Sequence, residues 1–217
     1  MNADHLAPFY EFLEHISFGR SLERCRMTFL ARAAASKRAL ICGGGDGRFL
    51  VSLLSANPAV EVDYLDLSQK MADLAESRVA RLDRQSRKRV RFFVADIRQF
   101  GPRPDGYDLI ATHFFLDCFS DAQLSAIVPR IAAWTTPSVL WLLSEFREAR
   151  ESHRRLWTHS IIRSLYAAFR LTTGLQVQHL PDYSAAIARA GFSLRDQQIS
   201  LAGLLSSSLW VNRVPRD

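Results

Sequence analysis

The residues best placed to do chemistry are a cluster of glycines and three polar side chains that each close a short apolar run. Ala39 to Leu50 reads ALICGGGDGRFL. Gly43, Gly44, Gly45 and Gly47 allow positive φ and let a ligand lie against the backbone. A helix starting near Gly47 would point free N–H groups at that ligand. Asp66 lies near the end of VEVDYLDL, Asp96 follows VRFFVA, and His113 follows YDLIAT. Asp66 comes about 20 residues after the glycines, the separation at which a carboxylate meets ribose hydroxyls in nucleotide-binding units. A carboxylate suits that task because it accepts from both hydroxyls at once. Asp96 could accept from an exocyclic amine of adenine. His113, with an ordinary pKa of ~6.5, suits proton transfer near neutrality and is the catalytic candidate; its plainer role is packing at a strand end. Together these residues suggest an adenosine-containing ligand.

Spacing narrows the ligand. A dinucleotide fingerprint, GxGxxG, fails: counted from Gly43 its third glycine falls on Arg48, and counted from Gly45 it falls on Leu50. No Gly-Lys-Ser/Thr occurs, so a phosphate-cradling P-loop is absent. A pyrophosphate ligand is disfavoured, and an adenosine with a non-phosphate tail gains ground.

The elements that must hold these residues alternate. Strands are expected at Ala39–Cys42, Val60–Leu67, Val90–Ala95, Tyr107–Thr112 and Val139–Ser144. Helices are expected after the glycine turn to about Ser55, from Ser68 as N-cap to about Leu82, and over Asp121–Trp134. Alternation implies a parallel sheet with right-handed crossovers, which puts the glycine turn, Asp66, Asp96 and His113 on one rim. Phe192–Ile199 and Leu204–Val211 read as an antiparallel hairpin closing the sheet, after a short helix at Asp182–Ala190. The expected fold is α/β: a Rossmann-like seven-stranded, mostly parallel sheet with helices on both faces. One domain fits the 217 residues. Within it, residues 1–36 form a helical lid, 37–150 the ligand-binding core, 151–191 a helical cap and 192–212 the hairpin.

Composition sets outer limits. The three scattered cysteines argue against a disulfide framework and a zinc site, and suit a reducing cytosol. No signal peptide or membrane span is visible, so a cytoplasmic protein is the default. Net charge is +6, almost all from arginine. The basic run Arg78 to Arg91 lacks the interleaved aromatics of a nucleic-acid platform, and most such runs are solvated helix ends. The basic helix expected at 151–170 has one apolar face and could touch a membrane surface.

The ordered elements resemble class I S-adenosylmethionine-dependent methyltransferases. ALICGGGDGRFL is similar to their first motif and VDYLDLSQKMADLA to their second. FFVADI resembles their adenine-contacting segment, YDLIATHFFLDCF their fourth-strand motif, and LPDYSAAIARAGF the usual end of the fold. The resemblance covers about residues 37–212. It implies S-adenosyl-L-methionine as cofactor, cradled by Gly43, Gly44, Gly45 and Gly47. Asp66 would hold the ribose and Asp96 the adenine amine, with Leu67, Ile97 and Thr112 beside them. Where the family often carries an acidic residue two positions before the first glycine, this chain has Ile41; Asp46 or a backbone carbonyl is the expected substitute contact to the methionine amino group. Asp117 is expected to orient His113 or cap the next helix.

The Asn/Asp-Pro-Pro-aromatic element of nucleic-acid amino methylases is absent at Thr112-His113-Phe114-Phe115, so nucleic acid is disfavoured as a partner. Tyr10, His113, Phe114, Phe115, Trp157 and Tyr166 suggest an apolar or aromatic pocket. The layout is similar to quinone and small-molecule methyltransferases, which implies methyl transfer to oxygen or carbon of a small molecule. The alternatives are a nucleotide-binding oxidoreductase and a binding module without catalysis.

Overall fold

The computed structural model describes residues 19–148, 158–163 and 179–213. The expected lid before residue 19, and Tyr10 with it, lie outside the described residues. So does most of the cap, including Trp157, Tyr166 and His153.

The first strand sets the frame. β1 (Arg38–Cys42) carries four consecutive buried residues, the continuous apolar run of a strand covered on both faces. It pairs in parallel with β2 (Glu61–Asp66) on one side and β4 (Tyr107–His113) on the other. β3 (Val90–Val94) lies beyond β2, and β5 (Thr135–Phe146) beyond β4. β7 (Leu205–Asn212) runs antiparallel beside β5, and β6 (Phe192–Ser200) forms the edge. The sheet order is β3-β2-β1-β4-β5-β7-β6. The chain therefore leaves β1 toward one edge and restarts at β4 on its other side. The crevice between the carboxyl ends of β1 and β4 is the switch point where ligands bind in such sheets.

Helices cover both faces. On one, α2 (Arg48–Ala56) and α3 (Gln69–Ala80) pack Phe49, Leu53, Ala75 and Val79 against Ile41, Val62 and Leu109. On the other, α5 (Asp121–Ala132) and α6 (Tyr183–Arg189) pack Leu124, Ile131 and Ile187 against Leu40, Tyr107 and Trp141. Ser68 caps α3 by accepting from Met71 N, and Ser120 with Gln123 forms a capping box on α5. At the rim, α1 (Gly19–Met27) and the helical residues 158–163 join through Leu22, Cys25, Ile162, Phe114 and Phe146. Among the described residues no helix is long and apolar enough to cross a membrane.

Two expectations need correction. β5 begins at Thr135 rather than Val139, because Tyr107 pairs with Thr135 before the register shifts. The basic run is not simply a solvated helix end. It forms the short α4 (Arg84–Lys88), Arg87 pairs with Glu76, and Arg89 donates to the carbonyls of Leu54, Asn57 and Val60. Arg91 reaches Asp63, a carboxylate with no exposed surface, which also accepts from Arg103 and from the Tyr107 hydroxyl at 2.6 Å.

Candidate functional site

The glycine turn is built from both sides. Gly43, Gly45 and Gly47 have φ of 62°, 61° and 82°. Gly43 N and Gly44 N donate to Leu65 O, which ties the turn to the end of β2. The Tyr64 hydroxyl donates to Gly45 O from below. A Cβ on Gly44 would stand 2.0 Å from the Tyr64 ring, one on Gly43 2.4 Å from Phe115, and one on Gly47 2.6 Å from Ala75. Internal packing therefore already demands glycine at three positions. The turn is a preformed scaffold, and its open side faces the crevice.

Asp66 is bonded into that scaffold. Its Oδ2 accepts from Gly45 N at 2.8 Å and its Oδ1 from Ser68 N at 2.9 Å. Burial raises its pKa, and N–H donors of Ser68, Gly45 and Leu67 counter that shift. Each oxygen keeps a second lone pair, so two further donors fit it chemically. Leu67 beside it is 37 % exposed, while Ile97 is buried. Asp96 is already engaged. Arg98 Nε lies 2.9 and 3.0 Å from its two oxygens, and this arginine holds the carboxyl below its ordinary range. Any amine at Asp96 must share it with Arg98.

A narrow cleft beside the turn is lined by Arg26, Ile41, Gly43–Gly45, Asp46, Arg48, Phe49 and His113. Asp46 does not substitute freely for an acid at position 41: Arg48 and Arg78 each approach it at 2.8 Å. His113 stands edge-on to Phe49, with ring centroids 4.4 Å apart. Its Nδ1 meets Ser144 Oγ at 3.0 Å, and Nε2 is buried without a hydrogen-bond partner. Burial, then the charge of Arg26, pushes its pKa down to about 3. The ring is neutral at physiological pH and takes up a proton poorly, which argues against the general-base role expected from its type alone.

Thr112 is wholly buried, and its hydroxyl accepts from the Trp141 indole at 2.9 Å, which leaves its backbone rather than its side chain for any contact with the cofactor. Asp117 neither orients His113, whose ring partner is Ser144, nor caps α5, whose cap is Ser120. It is buried beside Glu145. Glu145 Oε1 accepts from Leu116 N at 2.8 Å and Phe115 N at 3.2 Å, pinning the loop after β4. That loop contains Phe114 at φ 54°, an unusual conformation for a bulky residue. Phe114 packs on Phe146, and Phe115 lies against Gly43 and Phe119. Glu145 and Arg26 gave no signal in the sequence. One sits in the apolar strand LWLLSEF and the other in a helix of scattered arginines. His159 Nδ1 lies 3.0 Å from Glu148 Oε1.

The model of a family described as a methyltransferase domain matches residues 40–139, which contain the whole turn, Asp66, Asp96 and His113. A curated relative, polyamine aminopropyltransferase 2 of Bacillus cereus, is 30% identical over 115 residues. That match takes in 49% of this chain and 31% of the relative. Among solved structures, mitomycin 7-O-methyltransferase superposes with a TM-score of 0.65 at 18% identity, over 94% of this chain and 60% of that one. An O-methyltransferase from neocarzinostatin biosynthesis, in complex with S-adenosylmethionine and 2-hydroxy-5-methyl naphthoic acid, gives 0.61 at 20% identity, over 94% and 60%. The N-methyltransferase NodS of Bradyrhizobium japonicum gives 0.59 at 14% identity, over 94% and 97%. The chain thus spans about a third of the curated relative and three-fifths of the O-methyltransferases.

Proposed function

We propose that the chain carries a class I methyltransferase domain and that it transfers a methyl group from S-adenosylmethionine to oxygen or carbon of a small apolar or aromatic acceptor; the matching family model and the shared fold support this reading. The observation that supports this best is the joined pair of glycine turn and Asp66, standing beside a cleft that holds an orphaned, buried imidazole nitrogen. The spare lone pairs of Asp66 offer two acceptors to the hydroxyls of a ribose.

The residues fit the cofactor. Gly43, Gly44, Gly45 and Gly47 would cradle it, and the spare lone pairs of Asp66 would take the ribose hydroxyls. Asp96, shared with Arg98, would take the adenine amine, with Leu67 and Ile97 flanking the base. The cofactor when bound supplies an electrophilic methyl on a sulfonium, so the protein has no difficult bond chemistry of its own to perform. Its task is to fix the approach of the acceptor and to exclude water. Phe114 and Phe115, held by the buried Glu145, give the rim an apolar wall for that purpose. We assign no proton abstraction to His113; an acceptor that ionises on its own, such as an acidic phenol, needs none.

Incubation with cofactor carrying a deuterated methyl and a panel of phenols, quinols and hydroxylated naphthoic acids tests this proposal. Mass spectrometry should find a labelled methyl on at least one acceptor. Failure across the panel, with cofactor binding intact, would remove the acceptor class proposed. Reduction or oxidation with a nicotinamide cofactor would favour the oxidoreductase alternative.

A further inference from the structure

The cleft beside the glycine turn contains a hydrogen-bond acceptor whose state is fixed by its neighbours. The Ser144 hydroxyl has one proton and donates it to Cys25 O at 3.0 Å. In the arrangement that gives this proton to Cys25 O, Ser144 Oγ accepts from His113 Nδ1, 3.0 Å away. The proton of the neutral ring sits on Nδ1, and Nε2 presents a bare lone pair. That atom is buried, lacks a partner, and belongs to a side chain lining the cleft. Arg26 lines the same cleft, with its guanidinium carbon 5.3 Å from the centroid of Phe114. Among the described residues no carboxylate pairs with Arg26. Its backbone is held in place, because Cys25 O also accepts from Ser207 Oγ on β7 at 2.7 Å.

Strand order gives the direction. Asp66 and the base-contacting positions stand over β2 and β3, on one side of β1; His113 stands at the end of β4, on the other. A cofactor whose adenosine lies over β2 and β3 extends its remaining part toward His113 and Arg26. A bare lone pair calls for a donor and a guanidinium for an anion. An α-amino acid supplies both, as ammonium and carboxylate. Asp46, the one carboxylate lining the cleft among the described residues, is shared by Arg48 and Arg78, and position 41 is isoleucine.

We propose that His113 Nε2 and Arg26 together recognise the zwitterionic amino-acid end of the cofactor. His113 accepts from its ammonium in place of the absent acid at position 41, and Arg26 binds its carboxylate. This rests on the cofactor assigned above. The test is calorimetry on the full chain with three probes. S-adenosylhomocysteine has the whole tail, S-adenosyl-3-thiopropylamine lacks the carboxylate, and 5′-deoxy-5′-methylthioadenosine lacks the tail.

His113→Phe, which keeps the ring against Phe49, should bind S-adenosylhomocysteine at least tenfold more weakly, about 1.4 kcal/mol, and methylthioadenosine within twofold of wild type. Arg26→Met should weaken S-adenosylhomocysteine alone and leave the thiopropylamine unchanged. Near-UV circular dichroism checks that each variant is folded. If His113→Phe misfolds, Arg26→Met with the two tailed probes decides. Folded variants that bind S-adenosylhomocysteine as wild type does, or that lose all probes equally, overturn the proposal while leaving the cofactor assignment standing. A wild-type chain that binds neither S-adenosylhomocysteine nor methylthioadenosine overturns both.

Discussion

Asp117→Asn should make the protein more stable above pH 6 while changing little near pH 4. Asp117 and Glu145 are both buried at the carboxyl ends of β4 and β5. Burial raises Asp117 from 3.8 to about 6, and burial together with the neighbouring Asp117 charge pushes Glu145 well above its ordinary range. The groups facing the pair add no counter-charge strong enough to reverse this: Cys118 donates its thiol to Asp117 Oδ1, and the Tyr183 phenol is itself pushed up by burial and then by these carboxyls. The folded pKa exceeds the unfolded one, so folding is favoured most below about pH 4 and loses ground as pH rises. For Asp117 the gap is about two pH units, or roughly 3 kcal/mol at 1.36 kcal/mol per unit. Asparagine mimics the protonated acid, keeps Oδ1 for Cys118 and has no proton to lose. Urea unfolding at pH 4, 6 and 8, followed by circular dichroism, measures the difference. It should grow from near zero to roughly 2–3 kcal/mol in favour of the variant. A difference that stays flat with pH would show that Asp117 is not held protonated by burial.

Other consequences are as direct. Gly47→Ala should destabilise the fold by at least roughly 1–3 kcal/mol, since φ is +82° and the new Cβ would stand 2.7 Å from the Ala75 Cα; thermal unfolding reads it. Asp63→Ala should cost about 3 kcal/mol in urea unfolding, discounted because Arg91 is half exposed while Arg103 is not. Burial alone would raise Asp63, but the hydrogen bonds of Arg91, Arg103 and Tyr107 outweigh it and hold the carboxyl low. Its contribution is therefore full above about pH 4 and fades as pH falls through the folded value, so the deficit of Asp63→Ala should shrink in acid.

The centre of the parallel core was legible because β1 and β4 are covered on both faces and carry long apolar runs. β1 and β4 came out within a residue of their ends. The start of β5 was hidden because Thr135-Thr136-Pro137 looks like a turn, and only the pairing of Thr135 with Tyr107 brings it into the strand. Asp66 was legible as a strand-end carboxylate because its place beside the glycine turn follows from spacing along the chain. His113 was legible as a residue but not as a chemical state, since its tautomer is set by Ser144, 31 residues away, and by Cys25 on α1. Asp117 was misassigned for a related reason: sequence proximity suggested His113, whereas burial beside Glu145 decides its chemistry. Nothing local distinguished Arg26 from the chain's other arginines.

The central claim is that the glycine turn and Asp66 form the ribose site of S-adenosylmethionine. Calorimetric titration of S-adenosylhomocysteine into wild type and into Asp66→Asn tests it most directly. Asparagine keeps the shape and one acceptor but turns the other oxygen into a donor, so it cannot accept from both ribose hydroxyls. Wild type should bind, and the folded variant should bind at least tenfold more weakly, about 1.4 kcal/mol or more. Equal affinity in the two proteins would contradict the account.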